Sequence, residues 1–267
     1  MNVKTAELIY FSPTGNTMQI IEAISQGINF TVANRINLTS KNIQIPSSSG
    51  VSCDLAIIGG PVYAGRLPEA MVSRFRLIKG GKVPAVIVVT FGNRAYEDAL
   101  LELQNLVMEA DFKPIAAAAF IGEHSFSTKE LPIAVGRPDS EDLEEARKLG
   151  MLIRDKVLTA ADSDQLSLPQ LPGNYPYKEA GLFAGIIPSV SEHLCTRCMT
   201  CVSICPTGAI QEDNPHITDE NLCIRCAACV KSCHVNARIM NHPKIKKIAE
   251  YLSANCKERK MPMIYLS

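Results

Sequence analysis

The stretch Cys195-Thr-Arg-Cys198-Met-Thr-Cys201-Val-Ser-Ile-Cys205-Pro206 groups four cysteines at short, regular intervals. The same spacing recurs farther along the chain, at Cys223, Cys226, Cys229 and Cys233. These two runs account for most of the 10 cysteines in the chain. Because disulfides are rare where thiols are kept reduced, crowding of this kind favours metal ligation over a disulfide framework. The two runs therefore predict that this segment binds metal.

The spacing of each run is the one by which cysteines hold [4Fe-4S] clusters. One loop can wrap a cubane with three thiolates, and the fourth cysteine lies on the following helical turn. Structural zinc is the alternative, but zinc ribbons need only paired cysteines, whereas both runs carry four. We therefore predict two [4Fe-4S] clusters. The remaining cysteines, Cys53 and Cys256, stand apart and are predicted to be packed or surface thiols.

Residues 187–241 resemble the two-cluster ferredoxins of bacteria, which share this spacing and the turn Pro206-Thr-Gly-Ala-Ile210 after the first run. The resemblance implies a small α+β domain with crossed ligation, in which the last cysteine of each run serves the other cluster. Cluster one would take Cys195, Cys198, Cys201 and Cys233. Cluster two would take Cys223, Cys226, Cys229 and Cys205.

The second run departs from the ferredoxin pattern at His234, which stands where proline usually follows the last cysteine. Losing proline restores one backbone N–H near the cluster sulfurs, and a histidine could add a charge that changes with pH. Either effect would tune the reduction potential. The simpler interpretation, which the sequence favours, is that His234 is a solvated turn residue.

Upstream of the cysteines, apolar runs rich in β-branched residues alternate with stretches of helical period. The predicted strands are residues 8–11, 32–38, 55–59, 85–90 and 115–121. The predicted helices are residues 16–27, 69–78, 96–110 and a last one that begins near Asp139 or Ser140, either of which can cap it. Because the strands are apolar throughout instead of on every second residue, they predict a parallel sheet covered on both faces.

The strand at residues 8–11 runs directly into the loop Ser12-Pro13-Thr14-Gly15-Asn16-Thr17, where a helix begins. Hydroxyl groups, a glycine and the free amides of a helix start suit a bound phosphate. The loop matches neither the common nucleotide loop nor the dinucleotide fingerprint, so ATP and NAD are not indicated. An ordinary cluster of helix-capping residues is the alternative interpretation.

This loop resembles the phosphate loop of flavodoxins, and the resemblance covers residues 7–158. It implies a doubly wound, five-stranded parallel sheet of order 2-1-3-4-5 that binds FMN at the carboxyl ends of the strands. The loops after the third and fourth strands would flank the flavin ring. The implied FMN contacts are Ser12, Thr14, Gly15, Asn16 and Thr17 in the first loop, Pro61, Val62, Tyr63 and Gly65 in the second, and Phe91, Gly92, Asn93, Arg94 and Tyr96 in the third.

Four side chains near the expected flavin could do more than bind it. Tyr63 or Tyr96 could stack on the ring, since an aromatic face packs well on a flat ligand. Arg94 could neutralise the charge of reduced flavin or contact a partner protein. The alternative, which the sequence supports equally, is that Arg94 is a solvated charge in the loop. His124, in the loop after the fifth strand, could approach the flavin edge and transfer protons. None of these residues forms a recognisable catalytic constellation, so no catalytic residue is assigned.

The pattern predicts four parts: a flavodoxin-like domain at residues 1–158, a linker at 159–186, a two-cluster domain at 187–242 and a terminal helix and tail at 243–267. The linker is inferred from prolines and glycines in a stretch without sustained period. In the terminal helix, Ile245, Ile248 and Leu252 share one face, which is expected to pack on the rest of the protein.

Charge and composition limit the partners and the cellular location that we expect. Lys plus Arg and Asp plus Glu both number 27, so no overall field favours nucleic acid. No stretch approaches the ~18 apolar residues of a membrane span, and the N-terminus lacks the pattern of a secretory signal. We expect a cytoplasmic protein whose partner is a redox protein. A homodimer is expected if the linker holds the clusters far from the flavin.

Together the two halves resemble the flavodoxin-ferredoxin fusion proteins of anaerobic prokaryotes. The resemblance implies electron transfer between two [4Fe-4S] clusters and FMN, which links one-electron and two-electron partners. The alternative is an FMN-dependent reductase of a small molecule or quinone that is fed by its own ferredoxin domain. In a third interpretation the metal is structural and the first domain binds another phosphate ligand.

Overall fold

The computed structural model describes residues 3–43, 50–162, 165–179, 181 and 185–266. The strands are β1 (Thr5–Tyr10), β2 (Thr31–Asn37), β3 (Leu55–Pro61), β4 (Pro84–Phe91), β5 (Lys113–Ile121), β6 (Ser189–Val190), β7 (Arg238–Ile239) and β8 (Met263–Tyr265). The helices are α1 (Asn16–Ile28), α2 (Glu69–Phe75), α3 (Ala99–Glu109), α4 (Ser140–Thr159), α5 (Thr200–Ile204), α6 (Ala228–Lys231) and α7 (Pro243–Asn255).

The main sheet has the order β2-β1-β3-β4-β5, and all five strands are parallel. This confirms the predicted doubly wound sheet. β3 and β4 are buried along their whole length, as expected for strands covered on both faces. Residues such as Ile58 and Ile87 pack with α2 and α3 on one face. Residues such as Ile57 and Val88 pack with α1 and α4 on the other.

Two glycines let α1 and α4 pack in close contact. A Cβ atom on Gly27 would lie 2.0 Å from the carbonyl oxygen of Arg147. A Cβ atom on Gly150 would lie 2.2 Å from the carbonyl oxygen of Ile24. No side chain larger than hydrogen fits at either position without moving a backbone, so these glycines fix how closely α4 covers the sheet.

The predicted helices differ from the structure mainly at their ends. α4 begins where expected, and the carboxylate of Asp139 caps it by accepting from the N–H groups of Glu141 and Asp142. α3 begins later than predicted, because Asn93 and Glu97 adopt positive φ angles of 63° and 47°. These left-handed residues hold the chain in a loop before the helix starts.

The sheet has a sixth strand that the sequence analysis missed. β8 pairs antiparallel with β5, so the C-terminal segment covers what would otherwise be an exposed sheet edge. The strand is only three residues long, which is too short for a periodic pattern. The hydroxyl groups of Tyr96 and Tyr265, 2.7 Å apart, fasten it to the loop after β4.

The segment predicted as a linker is bound to the first domain instead of lying free. Residues 163–164, 180 and 182–184 of it lie outside the described residues. The carboxylate of Asp98 accepts from the backbone N–H of Asn174 at 2.9 Å and from that of Lys178 at 2.7 Å. Leu166 and Leu171 are buried in the two cores of the sheet domain. These contacts order the described part of the segment against the sheet domain.

The cysteine-rich part repeats one backbone pattern. Arg197 and Met199 in the first run have positive φ angles, and so do the equivalent Arg225 and Ala227 in the second. A short helix follows each pair, α5 in the first run and α6 in the second. β6 and β7 pair antiparallel and join the ends of the module. This is the α+β arrangement that the resemblance to two-cluster ferredoxins implies.

After the module, α7 packs on the rest of the protein through Ile245, Ala249 and Leu252, which are buried. Ile248 is partly buried in the same contact. The face predicted from the sequence is therefore the packed face. Among the described residues, no helix combines the length and the apolar character that a membrane crossing requires.

Candidate functional site

Two cavities in the cysteine-rich module are each surrounded by four cysteines. The first is lined by Cys195, Cys198, Cys201 and Cys233. The second is lined by Cys205, Cys223, Cys226 and Cys229. We call these sets the first and second quartets. Because α5 and α6 pack against each other, the last cysteine of each run reaches the cavity of the other run. This grouping is the one that crossed ligation requires.

The donor set of each cavity suits an iron-sulfur cluster. Both cavities are lined by four thiols and otherwise by apolar, hydroxyl and arginine side chains, without a carboxylate. Thiolates are the ligands that such clusters prefer. Within the described residues, no group of three or more histidine, cysteine or acidic side chains is arranged to hold a single metal ion.

The two quartets differ in exposure. Among the free cysteines of the described chain, Cys198 in the first quartet is exposed, whereas Cys226 in the second is buried. Hydrogen bonds from Thr200 lower the pKa of Cys198. Burial raises the pKa of Cys226 to about 12 and that of Cys229 to about 11. Metal binding must displace the protons of these buried thiols.

His234 lies beside the first quartet, with its Nδ1 atom 4.0 Å from the sulfur of Cys198. Its side chain is exposed. The structure therefore places it at the solvent side of the first cavity.

A larger cavity, of about 720 Å³, lies at the carboxyl ends of the parallel strands. This volume falls within the usual range of small-molecule sites, roughly 300–1,000 Å³. All three predicted loops line it. The predicted contacts that do so are Ser12, Thr14, Asn16, Thr17, Pro61, Val62, Tyr63, Gly65, Phe91, Gly92 and Arg94. Three others, Gly15, Asn93 and Tyr96, are not among the lining residues.

The hydroxyl groups of the first loop differ in their hydrogen-bond partners. Gly15, at the start of α1, has a φ of 86°, which glycine adopts at little cost. The Ser12 hydroxyl accepts from the N–H of Met18 at 3.1 Å. The Thr17 hydroxyl is buried 2.6 Å from the hydroxyl of Thr90, so it is engaged within the protein. Thr14 lines the cavity beside the first amides of the helix.

The two tyrosines proposed for stacking lie in different places. Tyr63 lines the cavity, and burial raises its pKa well above the ordinary value, with a smaller effect from nearby Cys226. The Tyr96 hydroxyl is hydrogen-bonded to that of Tyr265. The Tyr96 ring makes an edge-to-face contact with Phe91, with 5.5 Å between ring centroids. Of the two, the structure brings only Tyr63 to the cavity.

Arg94 and His124 both line the cavity. Arg94 forms an ion pair with Glu97, which also pairs with Lys178. Burial lowers the pKa of His124 to about 4, so its ring is neutral at pH 7. Its Nδ1 accepts from the N–H of Phe126 at 3.0 Å, which leaves the proton on Nε2. Neutral His124 is therefore a hydrogen-bond donor at the cavity.

The outer walls of the cavity come from parts of the chain that the sequence analysis did not connect with it. The described part of the 159–186 segment contributes Lys178, Glu179 and Gly181, the second cysteine run contributes Ile224 and Arg225, and α7 contributes Lys247, Ile248, Tyr251 and Leu252. Asn93 is buried nearby, and its amide donates to the carbonyl oxygens of Cys256 and Glu258, both at 2.8 Å. It therefore holds the end of α7 in place.

The second quartet and the large cavity share a wall. Ile224 and Arg225, which lie between Cys223 and Cys226, line both cavities. Two contacts hold the domains in this arrangement. The Arg74 guanidinium donates to the carbonyl oxygen of Pro206 at 2.5 Å, and Lys231 forms an ion pair with Glu123 at 2.8 Å.

Comparisons with known proteins follow the same division of the chain. The 4Fe-4S dicluster domain family matches residues 194–243. No curated protein matches the chain. Among solved structures, the flavodiiron core of Flv1 from Synechocystis sp. PCC6803 is 17% identical, with a TM-score of 0.42 over 58% of this chain and 36% of that one. This chain thus spans about a third of the flavodiiron chain.

Two flavodoxins match over a similar part of the chain. The flavodoxin of Streptococcus pneumoniae TIGR4 is 15% identical, with a TM-score of 0.42 over 57% of this chain and 99% of that one. A flavodoxin from the domain Archaea is 17% identical, with a TM-score of 0.37 over 58% of this chain and 99% of that one.

The observed strand order is the flavodoxin-like order, and the cysteine-rich segment matches an iron-sulfur family. Both parts of the predicted resemblance are confirmed at this level. The chain thus combines an N-terminal sheet of the flavodoxin-like strand order with a C-terminal segment, residues 194–243, that matches the 4Fe-4S dicluster domain family.

Proposed function

We propose that this protein transfers electrons between two [4Fe-4S] clusters and FMN, and so links one-electron and two-electron redox partners. The clusters supply single-electron exchange, and a flavin can hold one or two electrons. The observation that carries the proposal is the wall formed by Ile224 and Arg225, which separates the second quartet from the large cavity. The same two residues line both sites.

The first quartet would hold cluster one and the second quartet cluster two. The support is that each cavity gathers four thiols in the crossed grouping. Thiolate ligands as exposed as Cys198 persist best where thiols are kept reduced, and we therefore place the protein in the cytoplasm.

FMN would occupy the large cavity, with its phosphate at the loop that precedes α1. Thr14 and the first amides of the helix would donate to the phosphate. Tyr63 would pack against the ring, and neutral His124 would donate from Nε2 without adding charge. The Asn16 side chain donates to the carbonyl oxygen of Glu123 at 3.1 Å, which fixes the loop after β5 against the phosphate loop.

The exposures of the quartets suggest a route through the molecule. Electrons would enter from a redox protein at Cys198, where the first quartet reaches the surface. They would leave the second quartet across Ile224 and Arg225. A single chain supplies every part of this route, so transfer between the subunits of a dimer is not required.

The function is tested by reducing the flavin with a small one-electron carrier protein, such as a reduced ferredoxin, under anaerobic conditions. In the chain loaded with both cofactors, flavin absorbance should bleach after the clusters do. The variant Cys223→Ser/Cys226→Ser should lose this route, and its flavin should be reduced no faster than FMN free in solution. Cys53→Ser, which removes a thiol that lines neither quartet's cavity, is the control. Equal flavin reduction in all three proteins would refute the proposal.

The phosphate loop gives a further prediction. Thr14→Val should weaken FMN binding about tenfold or more, because a hydrogen bond to a charged group contributes about 1.5–3 kcal/mol. Calorimetric titration of flavin-depleted protein measures the affinity. Riboflavin, which lacks the phosphate, should bind the variant and the parent protein equally. Equal losses for both ligands would mean that Thr14 does not contact the phosphate.

An FMN-dependent reductase is the second candidate, and one observation favours it. α7 walls the outer side of the large cavity, which leaves a bounded space next to His124 where a small molecule or quinone could be held. Steady-state reduction of quinones should then show saturation, and Tyr251→Ala should raise KM without changing cluster-to-flavin transfer. A rate that rises linearly with quinone concentration would favour the electron carrier alone.

A further inference from the structure

Arg238 is a buried cation inside the cysteine-rich module, and no carboxylate in the described part of the chain pairs with it. It is 2% exposed. Its guanidinium donates to the carbonyl oxygen of Pro215 at 2.5 Å and to the hydroxyl of Thr218 at 2.6 Å. Its Nε–H group is buried without a hydrogen-bond partner, and no ion pair to it forms among the described residues. A buried charge that lacks a counter-charge is costly, so the site needs negative charge nearby.

The negative charge is available from both quartets. Arg238 lines the first cavity, and its Nη1 atom lies 3.7 Å from the sulfur of Cys201. Toward the second cavity, the Nη2 atom of Arg238 donates to the hydroxyl of Thr218 at 2.6 Å, and Thr218 lines that cavity together with the second quartet. One cation thus contacts a thiol of the first quartet and, through Thr218, the wall of the second cavity.

A cluster held by four thiolates is an anion, and its negative charge grows on reduction. A fixed cation in a low-dielectric interior stabilises the reduced form more than the oxidised form, and N–H groups directed at the sulfurs act in the same sense. The effect falls with distance, so it should be stronger for the cavity that Arg238 lines.

We propose that Arg238 is the shared counter-cation of the two clusters and raises both reduction potentials, that of cluster one more than that of cluster two. The proposal rests on the assignment of the quartets to two clusters. It assigns Arg238 a positioning and tuning role, with no part in binding iron.

The test is a redox titration followed by electron paramagnetic resonance on the cluster-loaded full chain. In Arg238→Gln, which removes the charge, the equilibrium constant for one-electron reduction of cluster one should fall at least tenfold, equivalent to about 59 mV. Cluster two should shift less and in the same direction. Cys233→Ser, which should lack cluster one, identifies the signal of each cluster.

Two further variants separate charge from structure. Arg238→Lys keeps the charge and loses the planar contacts, so both potentials should stay close to those of the parent protein. Thr218→Val removes one acceptor of the guanidinium and leaves its charge in place, and it should also change the potentials little. If Arg238→Gln fails to assemble both clusters, Arg238→Met, which also removes the charge but keeps a side chain of similar length, takes its place in the titration, with the same expected shifts.

Three outcomes would overturn the proposal: unchanged potentials in a fully loaded Arg238→Gln, a shift confined to one cluster, or a tenfold shift in Arg238→Lys. These results are independent of whether electrons reach the flavin. Failure of flavin reduction would contradict the proposed function and leave the potentials of the clusters as predicted here.

Discussion

Replacing Cys205 with serine is expected to remove cluster two, although Cys205 belongs to the first cysteine run. The reason is geometric, because Cys205 lines the cavity of the second quartet together with Cys223, Cys226 and Cys229. The reciprocal variant, Cys233→Ser, should remove cluster one, since Cys233 lines the first cavity. Each variant should lose about half of the iron of the parent protein, because each cluster carries four iron atoms.

The two variants are distinguished by what happens to the flavin. The second quartet, which would hold cluster two, shares a wall with the large cavity, so Cys205→Ser should lose electron transfer to the flavin. Cys233→Ser keeps cluster two and should still reduce the flavin after flash photoreduction of the remaining cluster. Cys256→Ser, which alters a thiol outside both quartets, should behave like the parent protein. Flavin reduction that survives in Cys205→Ser and is lost in Cys233→Ser would show that ligation is not crossed.

Asp142→Ala is expected to destabilise the flavodoxin-like domain by about 3–5 kcal/mol, the usual cost of leaving one partner of a buried ion pair alone. Asp142 is 1% exposed and Arg137 is 7% exposed, and the two form a bidentate pair. Asp142 also accepts from the N–H of Asp139 at the start of α4. Arg137 donates in addition to the carbonyl oxygen of Lys260 at 3.0 Å, so its release should loosen the C-terminal segment.

Denaturant unfolding followed by circular dichroism measures this cost. The matched control is Glu144→Ala, which breaks an exposed pair with Arg147 on the same helix. That change should cost no more than about 1 kcal/mol. The double variant Arg137→Met/Asp142→Leu removes both charges and should recover much of the loss. A single Asp142→Ala variant as stable as Glu144→Ala would mean that the buried pair does not stabilise the domain.

The sequence was sufficient to predict the sheet, and the reason is the strength of its pattern. Strands such as residues 55–61 and 84–91 are mostly apolar and buried at every position because both faces are covered, and this distinguishes them from edge strands. β8 was missed for the opposite reason. It is a short edge strand whose position depends on a contact with β5, which is distant in sequence.

The site was predictable where its residues follow one another along the chain. Each phosphate and flavin loop directly follows a strand, and the carboxyl ends of parallel strands meet at one edge of the sheet. The outer walls were not predictable, because Arg225 and Tyr251 reach the cavity only when the cysteine-rich module and α7 fold back onto the sheet domain. The position of Tyr96 could not be predicted either, because its hydrogen-bond partner, Tyr265, lies in β8.

The role of Arg238 was even less predictable from the sequence. In the sequence it is one arginine among the 27 basic residues of the chain. Its significance comes from its burial and from thiols contributed by both runs, which no local pattern encodes. A basic residue a few positions after the last cysteine of the second run was the available signal, and it does not distinguish a buried cation from a solvated one.

The central claim, that electrons pass within one chain from cluster two to the flavin, is tested most directly by flash photoreduction of the fully loaded protein. Absorbance would follow cluster reoxidation and flavin reduction together over a wide range of protein concentrations. We predict that both processes share one first-order rate constant that does not change with concentration, because Ile224 and Arg225 join the two sites in a single molecule. A rate constant that rises in proportion to protein concentration would contradict this account, since it would mean that electrons travel between molecules.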